Sequence, residues 1–288
     1  MIMELYAYHI KDFIRHSLIL LEEYKDGINN INVFPVADKD TGTNIYNTLK
    51  GIWERVKDIE VNSVGHFLKH VAEAALESAQ GNSGNILAMF FYGLYEGLKD
   101  KEKITIEDLS NALKLGYEYA KSSVQNPKKG TILSVMEALV ESFEKEKKDI
   151  AKALKEGINN ALFYLEVYRE EVDALKKNNV VDAGGLGFII MLKGWLKAHG
   201  FDIEIPIDKY LKKVVNRKSV GAFCINILLK DVQNFDELKD KLNNVGESLV
   251  IKKIGNKAKI HIHHNNLEYI KKLVAMYGKV VKITYTKI

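Results

Sequence analysis

Two aspartates one residue apart, Asp38 and Asp40, lie in the loop-like stretch Asn32-Val-Phe-Pro-Val-Ala-Asp-Lys-Asp-Thr-Gly-Thr-Asn44. Carboxylate oxygens at this spacing suit a hard cation such as Mg²⁺, which takes oxygen ligands and keeps phosphate oxygens beside them. On spacing alone the pair also reads as two solvated loop acids. Three further glycine-bearing stretches follow: Gly81-Asn-Ser-Gly84, Gly130-Thr131 and Asp182-Ala-Gly-Gly-Leu-Gly187. The aspartate stretch and the first two of these open predicted helices. Free backbone N–H groups and the helix dipole favour anions at such places, and Ser or Thr hydroxyls add donors. The plainer reading is that these residues only end and cap helices. No Gly-x₄-Gly-Lys-Ser/Thr motif occurs, and Gly-Leu-Gly near residue 186 follows no strand, so neither a P-loop nor a dinucleotide fingerprint is present.

A second set of reactive side chains lies near the other end. Over 222–230, Phe223, Ile225, Ile227 and Leu229 alternate with Cys224 and Asn226; over 257–264, Ile260 and Ile262 alternate with Lys259, His261 and His263. Alternation puts each set on opposite faces of a strand. If the two strands are neighbours, Cys224, His261 and His263 converge on the open face of a sheet, with donors suited to Zn²⁺. The alternative is a buried cysteine beside two surface histidines. His264 points toward the helices and is not expected as a ligand. The open face offers no Phe, Tyr or Trp for base stacking, so no nucleic-acid partner is expected.

The elements that carry these groups follow from apolar periodicity. Ile10, Phe13, Ile14, Leu18 and Leu21 mark a helix within 3–29, and 44–57 and 64–79 read as helices. Ile86, Met89, Phe90, Leu94 and Leu98 mark another, followed by 106–123, 131–145, 148–164, 168–177 and 186–199. No strand is expected before residue 200. A short extended stretch, Phe201–Ile207, surrounds Pro206 and marks a boundary, giving domains 1–203 and 204–288. Beyond it come a strand at 222–230, a helix at 234–245, strands at 248–254 and 258–264 joined through Gly255-Asn256, a helix at 266–277 and a strand at 280–286. That βαββαβ order is that of a ferredoxin-like sandwich.

With 288 residues, 47% of them hydrophobic, the chain can bury cores for about two domains. Its net charge of +4 conceals an asymmetry. Residues 207–288 hold 17 Lys and Arg against 7 Asp and Glu, net +10, whereas 1–206 hold 25 against 31, net −6. The basic part is suited to an acidic partner. The single cysteine excludes an intrachain disulfide and fits a reducing cytoplasm. The N-terminus lacks the pattern of a signal peptide, and the charge-free run between Glu77 and Glu96 reads as a polar loop before a buried helix, so no membrane span is expected.

In order and spacing, the four loops resemble the nucleotide-binding helical domain of the dihydroxyacetone kinase L-subunit family, most closely its fatty acid kinase branch. That branch reads N-V-F-P-V-P-D-G-D-T-G-T-N, A-R-G-N-S-G-V-I-L, P-V-E-G-T-I-L-T-V and V-V-D-A-G-G-Q-G; the corresponding stretches here are 32–44, 79–87, 127–135 and 180–187. The branch's middle domain carries Y-C-T-E-F and K-V-H-V-H-T, similar to the segments that begin at Phe223 and Lys259. The resemblance implies an eight-helix antiparallel barrel that binds ATP by the loops at one end. It implies that Asp38 and Asp40 hold Mg²⁺ between the phosphates, with Asn32 near the place of a third aspartate. Thr41, Gly42, Thr43 and Asn44 would line the phosphate end, and Asn82, Ser83 and Gly84 would bind phosphates. Gly130, Thr131 and Leu133 would approach the nucleotide, while Asp182 and Gly184 would close over it. Cys224, His261 and His263 would hold zinc.

The implied reaction transfers a phosphoryl group from ATP to the carboxylate of a fatty acid presented by a separate carrier protein. Longer family members continue into a third domain that engages that carrier, and a homodimer is expected. Three positions depart from the pattern: Lys39 replaces a glycine, Gln80 an arginine and Lys129 a glutamate. They motivate a second reading, in which a non-catalytic regulatory subunit binds nucleotide or metal. A third is a kinase subunit of the dihydroxyacetone type.

Overall fold

The computed structural model describes residues 2–60, 63–211 and 222–287. Long helices dominate the first part: α1 (Ala7–Ile31), α2 (Thr41–Val56), α3 (Val64–Ser78), α4 (Gly81–Leu98), α5 (Ile106–Ser123), α6 (Ile132–Lys145), α7 (Ile150–Tyr168) and α9 (Ala183–Ala198), with the short α8 (Asp173–Asn178) before the last. Side chains of Ser63, Thr105, Thr131, Asp149 and Asp182 accept backbone N–H bonds at the starts of α3, α5, α6, α7 and α9, satisfying donors that a helix cannot satisfy itself. In sequence order each of the eight long helices packs on the next, and α9 returns to α1, so they close a ring. Apart from Lys193 and Lys197, α9 is apolar and almost wholly buried, packing on α1, α2, α6 and α7. Gly194 lets it approach α1: a Cβ there would lie 2.5 Å from the Cα of Ser17. The Ser17 hydroxyl donates to the Met191 carbonyl at 2.8 Å across 174 residues of sequence.

Several expectations need correction. Two strands do precede residue 200: β1 (Glu4–Leu5) pairs antiparallel with β2 (Ile104–Thr105). Each is two residues long, too short for an alternation to register. α2 and α9 each begin three residues earlier than periodicity indicates, because their polar and glycine-rich first turns carry no apolar mark. Extended backbone around Pro206 gives way to a short helix, α10 (Ile207–Tyr210). Ile205 and Ile207 are buried in the helical core, and Tyr210 and Lys209 both donate to Glu166 Oε1, at 2.7 and 2.9 Å. Packing on the helices therefore runs past residue 203, through Leu211.

The second part comprises β3 (Phe223–Lys230), α11 (Phe235–Val245), β4 (Glu247–Ile254), β5 (Lys257–His264), α12 (Leu267–Ala275) and β6 (Lys279–Lys287), in one antiparallel sheet ordered β4-β5-β3-β6. The strands bearing the cysteine and the histidines are neighbours, with Cys224 opposite His263 and Asn226 opposite His261. Ile225, Ile227, Leu229, Ile260 and Ile262 meet Leu238, Leu242, Ile270 and Val274 of the two helices in a separate core. The opposite face, expected to be open, is buried, including Cys224, Asn226, Lys259, His261 and His263. It lies against the helical part. Lys259 and Lys282 donate to the carbonyls of Ala79 and Glu77 at the end of α3, at 3.2 and 2.9 Å. Val250 of the edge strand β4 bridges to Val124. Polar residues on one side of a strand usually announce water; here they announce helix ends with unpaired carbonyls. Among the described residues no helix is long and apolar enough to cross a membrane.

Another close approach in the ring is glycine on glycine, since a Cβ on Gly93 of α4 would lie 2.6 Å from the Cα of Gly116 of α5. Gly93→Val should overpack this crossing and lower the unfolding free energy by about 2–3 kcal/mol. A denaturant titration should show a lower midpoint with unchanged slope.

Candidate functional site

The aspartate loop is built around Asn32, whose side chain is buried. Its Oδ1 accepts the N–H groups of Asp40 and Thr41, both at 3.2 Å, and its Nδ2 donates to the carbonyls of Phe34 and Val36 at 3.4 and 3.2 Å. Both polar atoms of Asn32 are thus engaged in shaping the loop. The loop brings Asp38 and Asp40 together in a partly buried position. Burial, reinforced by the neighbouring Asp40 charge, pushes Asp38 up to about 8. Burial and the Asp40 charge oppose ionisation of Asp38, and a divalent cation would relieve both. Lys39 between them has a φ of 57°, the left-handed region, which explains why a glycine suits this position.

Four helix starts gather beside this loop. Asn29, in the last turns of α1, holds Thr43 twice: its Nδ2 donates to Thr43 Oγ1 at 2.8 Å and its Oδ1 accepts Thr43 N–H at 3.0 Å. Gly81, with φ 59°, sits where a Cβ would be 2.2 Å from Nδ2 of Asn44, so α2 and α4 start in contact. A Cβ on Gly84 would meet the Thr48 hydroxyl at 2.5 Å, and one on Gly184 the Ser83 hydroxyl at 2.6 Å. The Asp182 carboxylate joins two helices, accepting N–H bonds from Gly185 at 2.7 Å and Ile132 at 3.1 Å. Burial raises it to about 6, opposed by those two bonds. Gly130, with φ 75°, donates its N–H to Ser134 Oγ at 2.9 Å.

These contacts surround a cavity of about 270 Å³. Asn82, Ser83, Thr131, Leu133 and Asp182 line it together with apolar Phe34, Pro35, Ile86 and Val124. Thr41, Gly42, Thr43, Asn44, Gly84, Gly130 and Gly184 do not line it; they set the approach of the elements that do. Asp38 and Asp40 stand on the loop that contributes Phe34 and Pro35. A fourth wall was not foreseen: Ser248, Leu249 and Val250 of β4 face the cavity. Two of the three residues that depart from the family pattern are already engaged, Gln80 accepting from Asn47 Nδ2 at 3.2 Å and Lys129 lying 5.0 Å over the Tyr168 ring.

On the covered sheet face, one donor atom each from Cys224, His261 and His263 lies within 4.8 Å of the others. Two imidazole nitrogens, His261 Nε2 and His263 Nδ1, are buried without a hydrogen-bond partner. Burial pushes the Cys224 thiol up to about 12, with the charges of Asp40 and Asp38 adding to it, and lowers both histidines. A thiol with only long contacts, to Asn226 Nδ2 at 3.9 Å and His261 Nδ1 at 3.8 Å, and two imidazoles that each keep one unpartnered nitrogen form a donor set that a borderline-soft cation satisfies, so these residues fit zinc. Asp40 acts electrostatically on both Cys224 and His263, so the two candidate metal positions belong to one neighbourhood.

Comparison with known proteins matches residues 35–197 to the DAK2 domain and residues 221–288 to the middle domain of FakA-like fatty acid kinase subunits. Among full-length relatives, an uncharacterised protein of Staphylococcus saprophyticus is 28% identical over 285 residues, 91% of this chain and 51% of its own length. Uncharacterised proteins of Staphylococcus epidermidis and Staphylococcus aureus are 27% and 28% identical over 295 residues, again 91% of this chain and 51% and 52% of theirs. The chain thus spans about half the length of the curated relatives it matches.

Two outcomes follow from the aspartate loop. The folded chain keeps the Asp38 proton up to about 8, whereas an unfolded chain releases it near 3.8, so metal-free stability falls as pH rises between these values. In thermal melts Asp38→Asn should lack that component, and Mg²⁺ at pH 8 should stabilise the wild type but not the variant. Lys39→Gly should raise stability by about 1 kcal/mol through relief of the left-handed backbone; an unchanged melting point would show that Lys39 is not strained.

Proposed function

The chain belongs to the DAK2 domain family, and on that premise we propose that it is a fatty-acid-kinase-type phosphotransferase subunit, transferring the γ-phosphoryl group of ATP to a fatty acid carboxylate. The observation that carries this reading is the partly buried Asp38–Asp40 pair beside a cavity walled by the Gly81–Gly84, Thr131 and Asp182 loops. In this reading Asp38 and Asp40 hold Mg²⁺, which neutralises phosphate charge when bound. Asn82, Ser83 and Thr131 present N–H and hydroxyl donors to the phosphates, preorganised by the capping bonds of Asp182 and by the Asn29–Thr43 pair. The apolar lining of Phe34, Ile86, Leu133 and Val250 accommodates the base. Cys224, His261 and His263 hold zinc, which would supply a fixed positive charge on the covered sheet face.

The closed ring of helices supports an eight-helix barrel, and the strand order β4-β5-β3-β6 supports a ferredoxin-like sandwich. The corresponding division is a helical nucleotide-binding unit followed by a smaller unit bearing the zinc cluster. The acceptor is brought by a fatty-acid-binding carrier, and a cytoplasmic setting suits the single reduced cysteine. One feature favours the non-catalytic reading: Lys39 lies between the two aspartates in sequence, where its charge would compete with a metal.

An assay of Mg-ATP turnover with a loaded carrier separates the two. Acyl phosphate formation that falls at least about a hundredfold in Asp38→Ala with Asp40→Ala supports the kinase; tight ATP binding without turnover supports the regulatory role. Purified protein should carry about one zinc per chain, lost in Cys224→Ser because binding requires the thiolate. A normally folded wild type free of zinc would refute the metal assignment.

A further inference from the structure

One buried side chain touches both halves of the site without serving either as a ligand. We infer that Asn226, held by Asn85, is a positioning residue that couples the zinc cluster to the Gly81–Gly84 loop, so that zinc and Mg-nucleotide each tighten the other's binding. The inference rests on the nucleotide and zinc reading above and adds a link between its two parts. Asn85 follows Gly84 directly, in the first turn of α4, and is buried. Its Nδ2 donates to the Gly81 carbonyl at 2.7 Å and to Asn226 Oδ1 at 2.9 Å. Asn226 Oδ1 in turn lies 3.1 Å from His261 Nδ1, while Asn226 Nδ2 donates to Cys224 Sγ at 3.9 Å and that sulfur lies 3.8 Å from the same Nδ1.

The direction of this chain is set at one end. A backbone carbonyl can only accept, so Asn85 must present its NH₂ group to Gly81. The same NH₂ faces Asn226, which must therefore present oxygen, and that oxygen takes the proton of His261 Nδ1. Turning either amide over sets donor against donor or acceptor against acceptor. Asn85 keeps its orientation although this leaves its own Oδ1 buried without a partner. His261 is thereby held as the Nδ1–H tautomer, with its lone pair on Nε2. That atom is buried and unpartnered, as a waiting metal ligand would be.

At the other end, Gly81 immediately precedes Asn82 and Ser83, which line the cavity. Phosphates that order this loop fix the Gly81 carbonyl and hence the amide pair. A filled cluster fixes His261 and hence the same pair. Each ligand thus finds part of the ordering already done, and the gain is reciprocal.

The test uses the full chain, zinc with a competing chelator, and Mg²⁺ with a non-hydrolysable ATP analogue. In the wild type the nucleotide should tighten zinc about tenfold, and zinc should tighten the nucleotide by the same factor. Asn226→Leu should weaken zinc by about 10–100-fold. Asn85→Leu leaves all three zinc ligands in place and should reduce the coupling factor to about one. Zinc-free wild type, which needs no variant to fold, should show His261 protonated at Nδ1 in its ¹⁵N NMR signals. His261 protonated at Nε2, or full coupling in a folded Asn85→Leu, overturns the inference. A wild type that binds both ligands independently overturns the coupling alone. One that binds no nucleotide overturns the functional reading and the coupling with it.

Discussion

A sheet face that carries a cysteine, an asparagine, a lysine and two histidines can be dry only if nearly every polar atom finds a partner. That requirement governs how the smaller part of this chain meets the larger one. Lys259 is buried deeply enough for its ammonium to be pushed down to about 7, and the Ala79 carbonyl accepts a hydrogen bond from it. Lys282 uses the Glu77 carbonyl in the same way. Both carbonyls belong to the end of α3, where the helix has acceptors and no donors of its own. The sheet is thus seated by lysine amines donating to the carbonyl end of a helix, and the nitrogens left without partners belong to His261 and His263.

The same economy of donors and acceptors shapes the opposite side of the site. Asp182 offers one carboxylate oxygen to the starts of two helices, and Asn32 offers one amide oxygen to two consecutive N–H groups. Side chains that a motif reading assigns to ligand contact thereby turn out to hold backbone in place. Asp38 and Asp40 are different, since their proximity is costly until a cation arrives.

Much of this was legible in the sequence because the signals are local. The glycine-bearing stretches mark helix starts within a few residues, and the alternation of Cys224 with Ile225, and of His261 with Ile262, separates the two faces of the sheet before any pairing is known. What was not legible depends on partners far along the chain. Nothing around Ser248 announces that β4 will face a cavity lined by Asn82 and Asp182. Asn85 and Asn226 stand 141 residues apart, and each alone is an unremarked amide. The four backbone groups that Asn32 holds were likewise not legible, because they depend on how the loop folds around it.

The meeting of the first and last long helices has a consequence for how the chain is made. Ser17 waits for Met191, and the apolar stripe of α1 waits for α9. During synthesis at roughly 5–20 residues per second, the ribosome extends the chain for many seconds before the ring can close. Throughout that interval the inner faces of the early helices have only their sequence neighbours for cover. Such a topology places the chain's exposure to chaperones and aggregation in the period before α9 emerges, and makes Gly194, where the two helices nearly touch, the latch of the whole assembly.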